Sequence, residues 1–217
     1  MKKISTSVLV DFLRSKEAAN TKFTDKLKIR YRPYICPFDQ LLIQIPTGKS
    51  VFDVGCGSGQ FALLLAEFRE PTRLKGIEIS QTLVDNAKAL LAPYSSSVFV
   101  DFAKYHGDDI PDDIAQYDYV TMIDVAHHIP AKLQHAFFEQ LYAKMATGSV
   151  LVFKDINASS PFVYANKMHD LLFAGELGNE KSFSYTKELF NKLGFTILSS
   201  SKKLMFCYPH FTIIAKK

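Results

Sequence analysis

Three glycines within five residues follow a short apolar run, and this loop is the feature that most constrains the fold. The run begins at Ser50 and ends at Gly55, and Gly57 and Gly59 complete the loop before an apolar stretch that starts at Phe61. Glycine permits positive φ and the close approach of a ligand to the backbone. A helix that follows such a loop exposes free N–H groups in its first turn. The sequence therefore predicts a buried strand, a ligand-binding turn and a helix, in that order.

The residues around the loop restrict the ligand. A dinucleotide site needs G-x-G-x-x-G, but Gln60 stands at the third glycine position, and no Walker-type Gly-Lys-Ser/Thr follows at the required spacing. Asp53 would repel a phosphate and suits a positively charged ligand. Glu78 comes 19 residues after Gly59 (78 − 59), near the offset at which an acid meets a ribose diol. These features predict a nucleoside ligand with no phosphate and with a cationic group at its other end.

Apolar runs alternate with helical stretches along most of the chain. The predicted strands cover residues 50–54, 74–79, 98–101, 117–124, 149–155, 195–198 and 211–215. The predicted helices cover residues 7–19, 37–45, 61–68, 81–91, 130–145, 161–173 and 185–193. This alternation is typical of an α/β fold whose parallel sheet is covered on both faces. Ligands of such folds bind beyond the carboxyl ends of the strands, so the glycine loop is the expected binding place.

The loop also carries a family resemblance. Asp53-Val-Gly-Cys-Gly-Ser-Gly59 resembles the first motif of class I S-adenosylmethionine-dependent methyltransferases. Residues 106–111, 117–129 and 148–153 resemble later motifs of that family, in the family's order, so that the resemblance covers about residues 50–157. It implies a Rossmann-like three-layer sandwich. Its mostly parallel seven-stranded sheet would end in an antiparallel hairpin, with an added N-terminal helical segment.

The resemblance also implies a site. S-adenosylmethionine would be the cofactor and S-adenosylhomocysteine the product, with Glu78 on the ribose and Asp108 on the adenine amino group. The full set of expected cofactor-binding residues is Asp53, Gly55, Cys56, Gly57, Gly59, Glu78, Ile79, Asp108, Asp109 and Asp124.

His128 and Asp155 are candidate catalytic bases, because they follow the fourth strand and end the fifth. An oxygen or carbon acceptor needs its proton removed, whereas a nitrogen acceptor can do without a base. No metal is expected, because the adjacent His127 and His128 diverge in direction and no third ligand follows at a useful spacing.

Charge divides the chain at residue 49. Residues 1–49 hold ten Lys/Arg and four Asp/Glu, a net charge of +6, whereas residues 50–217 carry 16 bases and 18 acids, or −2. We therefore expect an N-terminal helical cap or lid over residues 1–49 and a cofactor-binding domain over residues 50–217. A basic lid suits an anionic or carrier-bound acceptor. The alternative is that the positive charge of residues 1–49 only complements the negative charge of the core domain.

Partners and compartment follow from what the sequence lacks. Three cysteines with no CxxC pair favour a reducing compartment, and no apolar window approaches the length of a membrane span. We expect a cytoplasmic monomer or homodimer that methylates a small molecule. Nucleic acid is a weaker candidate partner, because no RNA-binding module is appended and the catalytic half is acidic. An RNA or protein methyltransferase, or a non-catalytic cofactor-binding protein, are the alternatives.

Overall fold

Seven strands form one mixed sheet in the computed structural model, which describes residues 4–16, 31–173, 175 and 177–217. The strands, in chain order, are β1 Val51–Val54, β2 Arg73–Glu78, β3 Phe99–Lys104, β4 Tyr119–Ile123, β5 Val150–Ile156, β6 Thr196–Met205 and β7 Tyr208–Lys216. Across the sheet their order is β3-β2-β1-β4-β5-β7-β6. Strands β1 to β5 run parallel, and β7 is antiparallel to both β5 and β6. The expected sheet with its reversed terminal hairpin is confirmed.

Helices cover both faces of the sheet. They are α1 Thr6–Ser15, α2 Phe38–Leu42, α3 Gln60–Arg69, α4 Gln81–Leu91, α5 Gln134–Lys144, α6 Val163–Phe173 and α7 Phe183–Leu193. One buried apolar cluster includes Leu63 and Val84, and a second, separate cluster includes Phe138 and Leu189. Because each cluster joins helices to strands, the molecule has three layers, helix on sheet on helix, as expected.

The connections place a crevice between β1 and β4. From β1 the chain winds outward through β2 to β3, and it then returns to build β4 and β5 on the other side of β1. The loops that leave β1 and β4 therefore diverge at their carboxyl ends. Such a switch in strand order is where open α/β sheets bind ligands.

The terminal hairpin is longer than its sequence pattern indicates. β6 extends to Met205 and β7 begins at Tyr208, with Phe206 at positive φ in the turn between them. β6 is the edge strand and contains the polar run 199–203, most of which is exposed or half-buried. Its pairing with β7 is a backbone interaction that requires no apolar side chains. The expected strand of residues 195–198 is therefore too short.

The described parts of the N-terminal segment share the core of the sheet domain. Leu9 and Leu13 of α1 are buried, and the ring of Phe12 meets that of Phe68 at 5.4 Å. The buried guanidinium of Arg69 donates to the carbonyl of Leu42 at 2.7 Å. Residues 31–35 are helical, whereas residues 17–30 lie outside the described part of the chain. Within the described ranges, no helix is long and apolar enough to cross a membrane.

Candidate functional site

A cavity of about 830 Å³ opens at the carboxyl ends of β1, β2 and β4. Nine of the twelve residues expected at the site line it, namely Asp53, Gly55, Cys56, Gly57, Glu78, Ile79, Asp108, Asp124 and His128. The remaining three, Gly59, Asp109 and Asp155, are not among its lining residues. The tertiary structure thus gathers into one place residues that are as far apart in sequence as Asp53 and His128.

The glycine loop adopts a backbone that side chains would not tolerate. Gly55, Gly57 and Gly59 have φ values of 69°, 54° and 81°. A Cβ on Gly55 would stand 2.4 Å from the Val125 side chain, and one on Gly59 would stand 2.9 Å from Ala87. At Gly57, no described atom lies within 4 Å of that position. Gly55 and Gly59 therefore allow close packing of the loop, while Gly57 keeps the cavity wall open.

Glu78 connects the end of β2 to the glycine loop. One oxygen of this buried carboxylate accepts from the backbone N–H groups of Ile79 at 2.8 Å and Ser80 at 3.1 Å. The other oxygen accepts from the N–H of Gly57 at 3.1 Å. Since a carboxylate offers about four acceptor positions, Glu78 can hold the loop and still accept from a ligand.

Asp53 brings a second carboxylate to the cavity wall. Its side chain is buried and accepts a hydrogen bond from the Thr121 hydroxyl at 2.5 Å. Burial raises the pKa of Asp53 to about 7, against the opposing effects of the Thr121 hydrogen bond and the Arg32 charge. The carboxyl can therefore change charge near neutral pH, and a cation bound beside it would favour its ionised form.

Asp124 lies one residue beyond β4 and has a left-handed backbone, with φ of 56°. Its Oδ1 pairs with Nζ of Lys154, a β5 side chain with no solvent exposure, and its Oδ2 lies 3.9 Å from the Arg32 guanidinium. Burial raises the pKa of Asp124, but the charge of Lys154, supported by that of Arg32, outweighs that effect and holds the pKa below its usual range. A permanent anion thus lines the cavity beside β4.

The two aspartates that follow β3 separate. Asp108 lines the cavity, next to His106 and Gly107. Asp109 turns to the protein surface, where its Oδ1 accepts from Lys144 Nζ at 2.6 Å. Of these two acids of the expected cofactor-binding set, only Asp108 lies where a ligand in the cavity could reach it.

His128 and Asp155 do not meet in the structure. His128 is exposed and lines the cavity, whereas Asp155 is buried and pairs with Nδ1 of His127. The other Asp155 oxygen accepts from the His127 backbone N–H at 3.1 Å. The rings of His127 and His128 lie 4.1 Å apart, centroid to centroid. Of the two candidate bases, only His128 borders the cavity, and Asp155 acts on the loop that carries it.

A buried glutamine fixes this loop further. The Gln134 amide donates to the carbonyls of Ala126, Ile129 and Asn179, at 2.9 to 3.1 Å. In return, the N–H of Asn179 donates to the carbonyl of His127 at 2.6 Å. The segment between β4 and α5 is therefore held from both ends, which limits the positions open to His128.

Many residues that line the cavity are absent from the expected site set, and three residues at or near the site, Arg32, Phe38 and Lys154, bear on its charge and shape. Arg32 and Phe38 line the cavity from the N-terminal segment, with the guanidinium 5.7 Å from the Phe38 ring centroid. Lys154 does not line the cavity, but it pairs with Asp124, which does. A lysine within the apolar run of β5 is the signal that could have identified it, because lysine is rarely fully buried unless it is paired. Among the described residues, no group of three His, Cys, Asp or Glu could hold a metal ion.

Comparison with known proteins gives one family match over most of the chain. A family model described as "Methyltransferase domain" matches residues 28–200. The match includes the glycine loop, Glu78, Asp124 and His128, and it also includes the 31–35 turn that carries Arg32.

Individual relatives are more distant. A carboxy-S-adenosyl-L-methionine synthase from Campylobacter curvus is 25% identical over 111 residues, which are 51% of this chain and 46% of the relative. The match thus spans about half the length of that curated relative.

Two solved structures share the fold. One is a chain of the Haloferax volcanii complex that contains the Trm112 methyltransferase activator, with a TM-score of 0.72, 16% identity, and coverage of 89% of this chain and 92% of that one. The other is the magnesium protoporphyrin IX methyltransferase of Synechocystis PCC 6803 with bound S-adenosylhomocysteine. Its TM-score is 0.70, with 19% identity and coverage of 99% and 95%. At these identities the likeness is one of fold.

Proposed function

Because this chain belongs to the methyltransferase-domain family of class I S-adenosylmethionine-dependent enzymes, we propose that it methylates a small-molecule acceptor bound beside the glycine loop. The observation that carries the proposal is that Glu78, Asp53 and Asp124 all line one cavity beside the glycine loop. These three carboxylates match a ligand that has ribose hydroxyls at one end and positive charge at the other.

The donor set fits the cofactor along its length. Glu78 would accept from the ribose hydroxyls, and Asp108 would accept from the adenine amino group. Ile79 is 59% exposed and lines the cavity, so that its side chain offers an apolar surface to the adenine ring. Asp53 and Asp124 would face the cationic amino-acid end, and Gly57 leaves room for the ligand to approach the loop.

The cavity also has the size and lining of a small-molecule site. Its volume of about 830 Å³ lies within the range of about 300–1,000 Å³ found for ligand pockets. Phe38, Phe61 and Phe137 contribute apolar walls. The cofactor would occupy part of this volume, and the remaining space beside the apolar walls suits a small acceptor that enters the cavity.

The bound cofactor supplies an electrophilic methyl group on a sulfonium, and the protein's part is to orient the acceptor and exclude water. An acceptor atom must lie about 3 Å from the methyl, on the side opposite the sulfur, for in-line displacement. His128 borders the cavity and would take the proton of an oxygen or carbon acceptor. Asp155 would stabilise the His127 end of that loop and would not touch the acceptor.

The N-terminal segment, residues 1–49, would help to choose the acceptor. Arg32 and Phe38 come from this segment and line the same cavity as the glycine loop. A guanidinium there suits an acceptor with an anionic group, which agrees with the net charge of +6 in residues 1–49. The proposed division is therefore a cofactor-binding domain over residues 50–217 and an acceptor-selecting cap before it.

Tracking the methyl group tests the proposal. The protein would be incubated with methyl-labelled S-adenosylmethionine and a cell extract, which is then divided into a small-molecule filtrate, RNA and protein. We expect label in a filtrate compound other than S-adenosylmethionine, in an amount equal to the S-adenosylhomocysteine formed. Label in RNA or protein would support the macromolecular alternatives, and cofactor binding without transfer would support a non-catalytic binder. Identification of the labelled compound would also reveal carboxy-S-adenosyl-L-methionine, the product named for the Campylobacter relative.

Calorimetry with S-adenosylhomocysteine tests the site separately from the acceptor. Glu78→Ala should weaken binding at least tenfold, and Glu188→Gln should leave it unchanged, since Glu188 is exposed on α7 and pairs only with Lys192 among the contacts described. Equal binding by wild type and Glu78→Ala would contradict the cofactor placement.

A further inference from the structure

Lys154 is a charged side chain in a place that usually excludes charge. It lies in the middle of β5, between Phe153 and Asp155, and has no solvent exposure. β5 itself is flanked by β4 and β7, with Lys154 paired in register to Ile123 and Thr212. Burial of an ammonium is costly without a partner, so the position calls for a specific anion.

That anion is Asp124, and two contacts join the residues. The Lys154 ammonium pairs with Asp124 Oδ1, and the Asp124 backbone N–H donates to the Lys154 carbonyl at 2.9 Å. The backbone of Asp124 is left-handed, a conformation that non-glycine residues rarely adopt. Both contacts direct the carboxylate to the end of β4, where it lines the cavity and its Oδ2 faces Arg32.

We propose that Lys154 is a positioning residue, which keeps Asp124 ionised and fixed at the cavity wall as the contact for the ammonium of the cofactor's amino-acid part. This inference rests on the proposed function, because it needs the cofactor in this cavity. The alternative is that the pair only stabilises the fold and makes no contribution to ligand binding.

Lys154 is the main group that stabilises the negative charge of Asp124, because the other groups near this carboxylate are exposed or uncharged at pH 7. Arg32 comes from the N-terminal segment at 3.9 Å and is 42% exposed, so solvent screens its charge. His210 of β7 is buried, and burial together with Lys154 lowers its pKa to about 3, which leaves it neutral at pH 7. Cys36 is also protonated there, because burial raises the pKa of its thiol to about 12.

Removal of Lys154 should therefore have a result that depends on pH. Without its ammonium, the partly buried Asp124 carboxyl would bind a proton more readily, because burial raises its pKa and the Lys154 charge would no longer oppose that effect. It would then lose its attraction for the ligand ammonium and regain it as the pH rises. A side chain that only fills space would give no such recovery.

The experiment compares two probes that differ by the amino-acid part. S-adenosylhomocysteine carries the ammonium, and 5′-methylthioadenosine lacks it. Calorimetry from pH 6 to pH 8.5 would use wild type, Lys154→Met and the double variant Lys154→Met/Asp124→Asn. Glu188→Gln serves as the unaffected control. Asp53 is present in every variant, so that its own titration cancels in the comparison.

We expect Lys154→Met to weaken the binding of S-adenosylhomocysteine at least tenfold at pH 7, and we expect the affinity to recover toward pH 8.5. The affinity for 5′-methylthioadenosine should stay within twofold of the wild-type value. The double variant should bind S-adenosylhomocysteine weakly and show only the rise with pH that wild type owes to Asp53. Unchanged S-adenosylhomocysteine binding, or equal losses for both probes at every pH, would overturn the proposal. Wild type that binds neither probe would instead contradict the proposed function.

If Lys154→Met does not fold, the double variant by itself tests whether the Lys154–Asp124 pair contributes to ligand binding. Replacing both members of a buried ion pair is far milder than removing one. In a folded double variant, wild-type preference for S-adenosylhomocysteine over 5′-methylthioadenosine would refute a role for the pair in binding. Loss of that preference, with 5′-methylthioadenosine binding retained, would support it.

Discussion

The carboxylate of Glu78, at the end of β2, accepts a hydrogen bond from the backbone N–H of Gly57 at 3.1 Å. Two strands are thereby joined at their carboxyl ends, because Gly57 belongs to the loop that leaves β1. The acid predicted to bind a ribose thus also holds the loop that shapes the site, so that changes at Glu78 should affect both binding and stability.

Glu78→Ala should lower the free energy of unfolding by about 2 kcal/mol, because three backbone N–H groups lose their acceptor near the protein interior. Urea denaturation measures this change, alongside the loss of S-adenosylhomocysteine affinity. Glu78→Gln keeps one acceptor oxygen and should lose less stability and less S-adenosylhomocysteine affinity than Glu78→Ala. Wild-type stability for Glu78→Ala would show that these hydrogen bonds do not order the loop.

Alanine at Gly55 should be far more damaging than alanine at Gly48. Both glycines have positive φ, 69° and 76°, but only Gly55 is crowded, with Val125 2.4 Å from a new Cβ. Gly48→Ala should cost about 1–2 kcal/mol from its backbone alone. Gly55→Ala should cost a further 1–3 kcal/mol or so from overpacking and should weaken S-adenosylhomocysteine as Val125 moves. Equal losses of stability for the two variants would exclude the steric explanation.

Affinity for S-adenosylhomocysteine should rise between pH 6 and pH 8. The pKa of Asp53 is raised to about 7 by burial, so at pH 6 the carboxyl is mostly protonated and must release a proton to face a cation. The expected gain is up to about tenfold, measured by calorimetry. Asp53→Asn should bind weakly and show a smaller pH dependence. A wild-type profile that is flat over this range would place the cation away from Asp53.

The same group should reduce stability as the pH rises. Because the folded pKa of Asp53 lies above its unfolded value of about 3.9, the folded state holds the extra proton from about pH 4 to pH 7. The free energy of unfolding therefore loses the Asp53 contribution as the pH rises through 7. Asp53→Asn should raise the Tm at pH 8 more than at pH 5, as seen by thermal melts. A variant less stable than wild type at pH 8 would contradict this sign.

Removal of the Asp155 side chain should mainly lower stability, whereas removal of the His128 side chain should mainly lower methyl transfer. Asp155→Ala removes the partner of buried His127, both at Nδ1 and at the backbone N–H, and should cost about 2–4 kcal/mol of stability. His128→Ala changes an exposed side chain and should alter stability less while lowering methyl transfer to an oxygen or carbon acceptor. Denaturation and the labelled-extract assay measure the two effects. Lost transfer with full stability in Asp155→Ala would restore Asp155 as a catalytic base.

The sequence by itself determined the fold class and the residues of the cavity that follow β1, β2 and β4 directly. The glycine spacing, Asp53 and Glu78 suffice to predict the strand, turn and helix and the kind of ligand. The reason is that the backbone conformation of the loop and the positions of the strand ends depend on residues that are close in sequence. The same applies to Asp124 and His128, which follow an apolar strand directly. The edge strand β6 was underestimated, since its pairing depends on backbone groups that leave no apolar pattern.

Only the tertiary structure decided which side chains meet. Asp108 and Asp109 are adjacent in sequence, yet Lys144 draws only Asp109 away from the cavity. Asp155 was expected beside the acceptor, but the fold turns it to His127. Lys154 reaches Asp124 across two neighbouring strands, 30 residues apart (154 − 124). Such pairings depend on strand register and on which face each side chain takes, and these are fixed by packing of the whole sheet rather than by any local pattern.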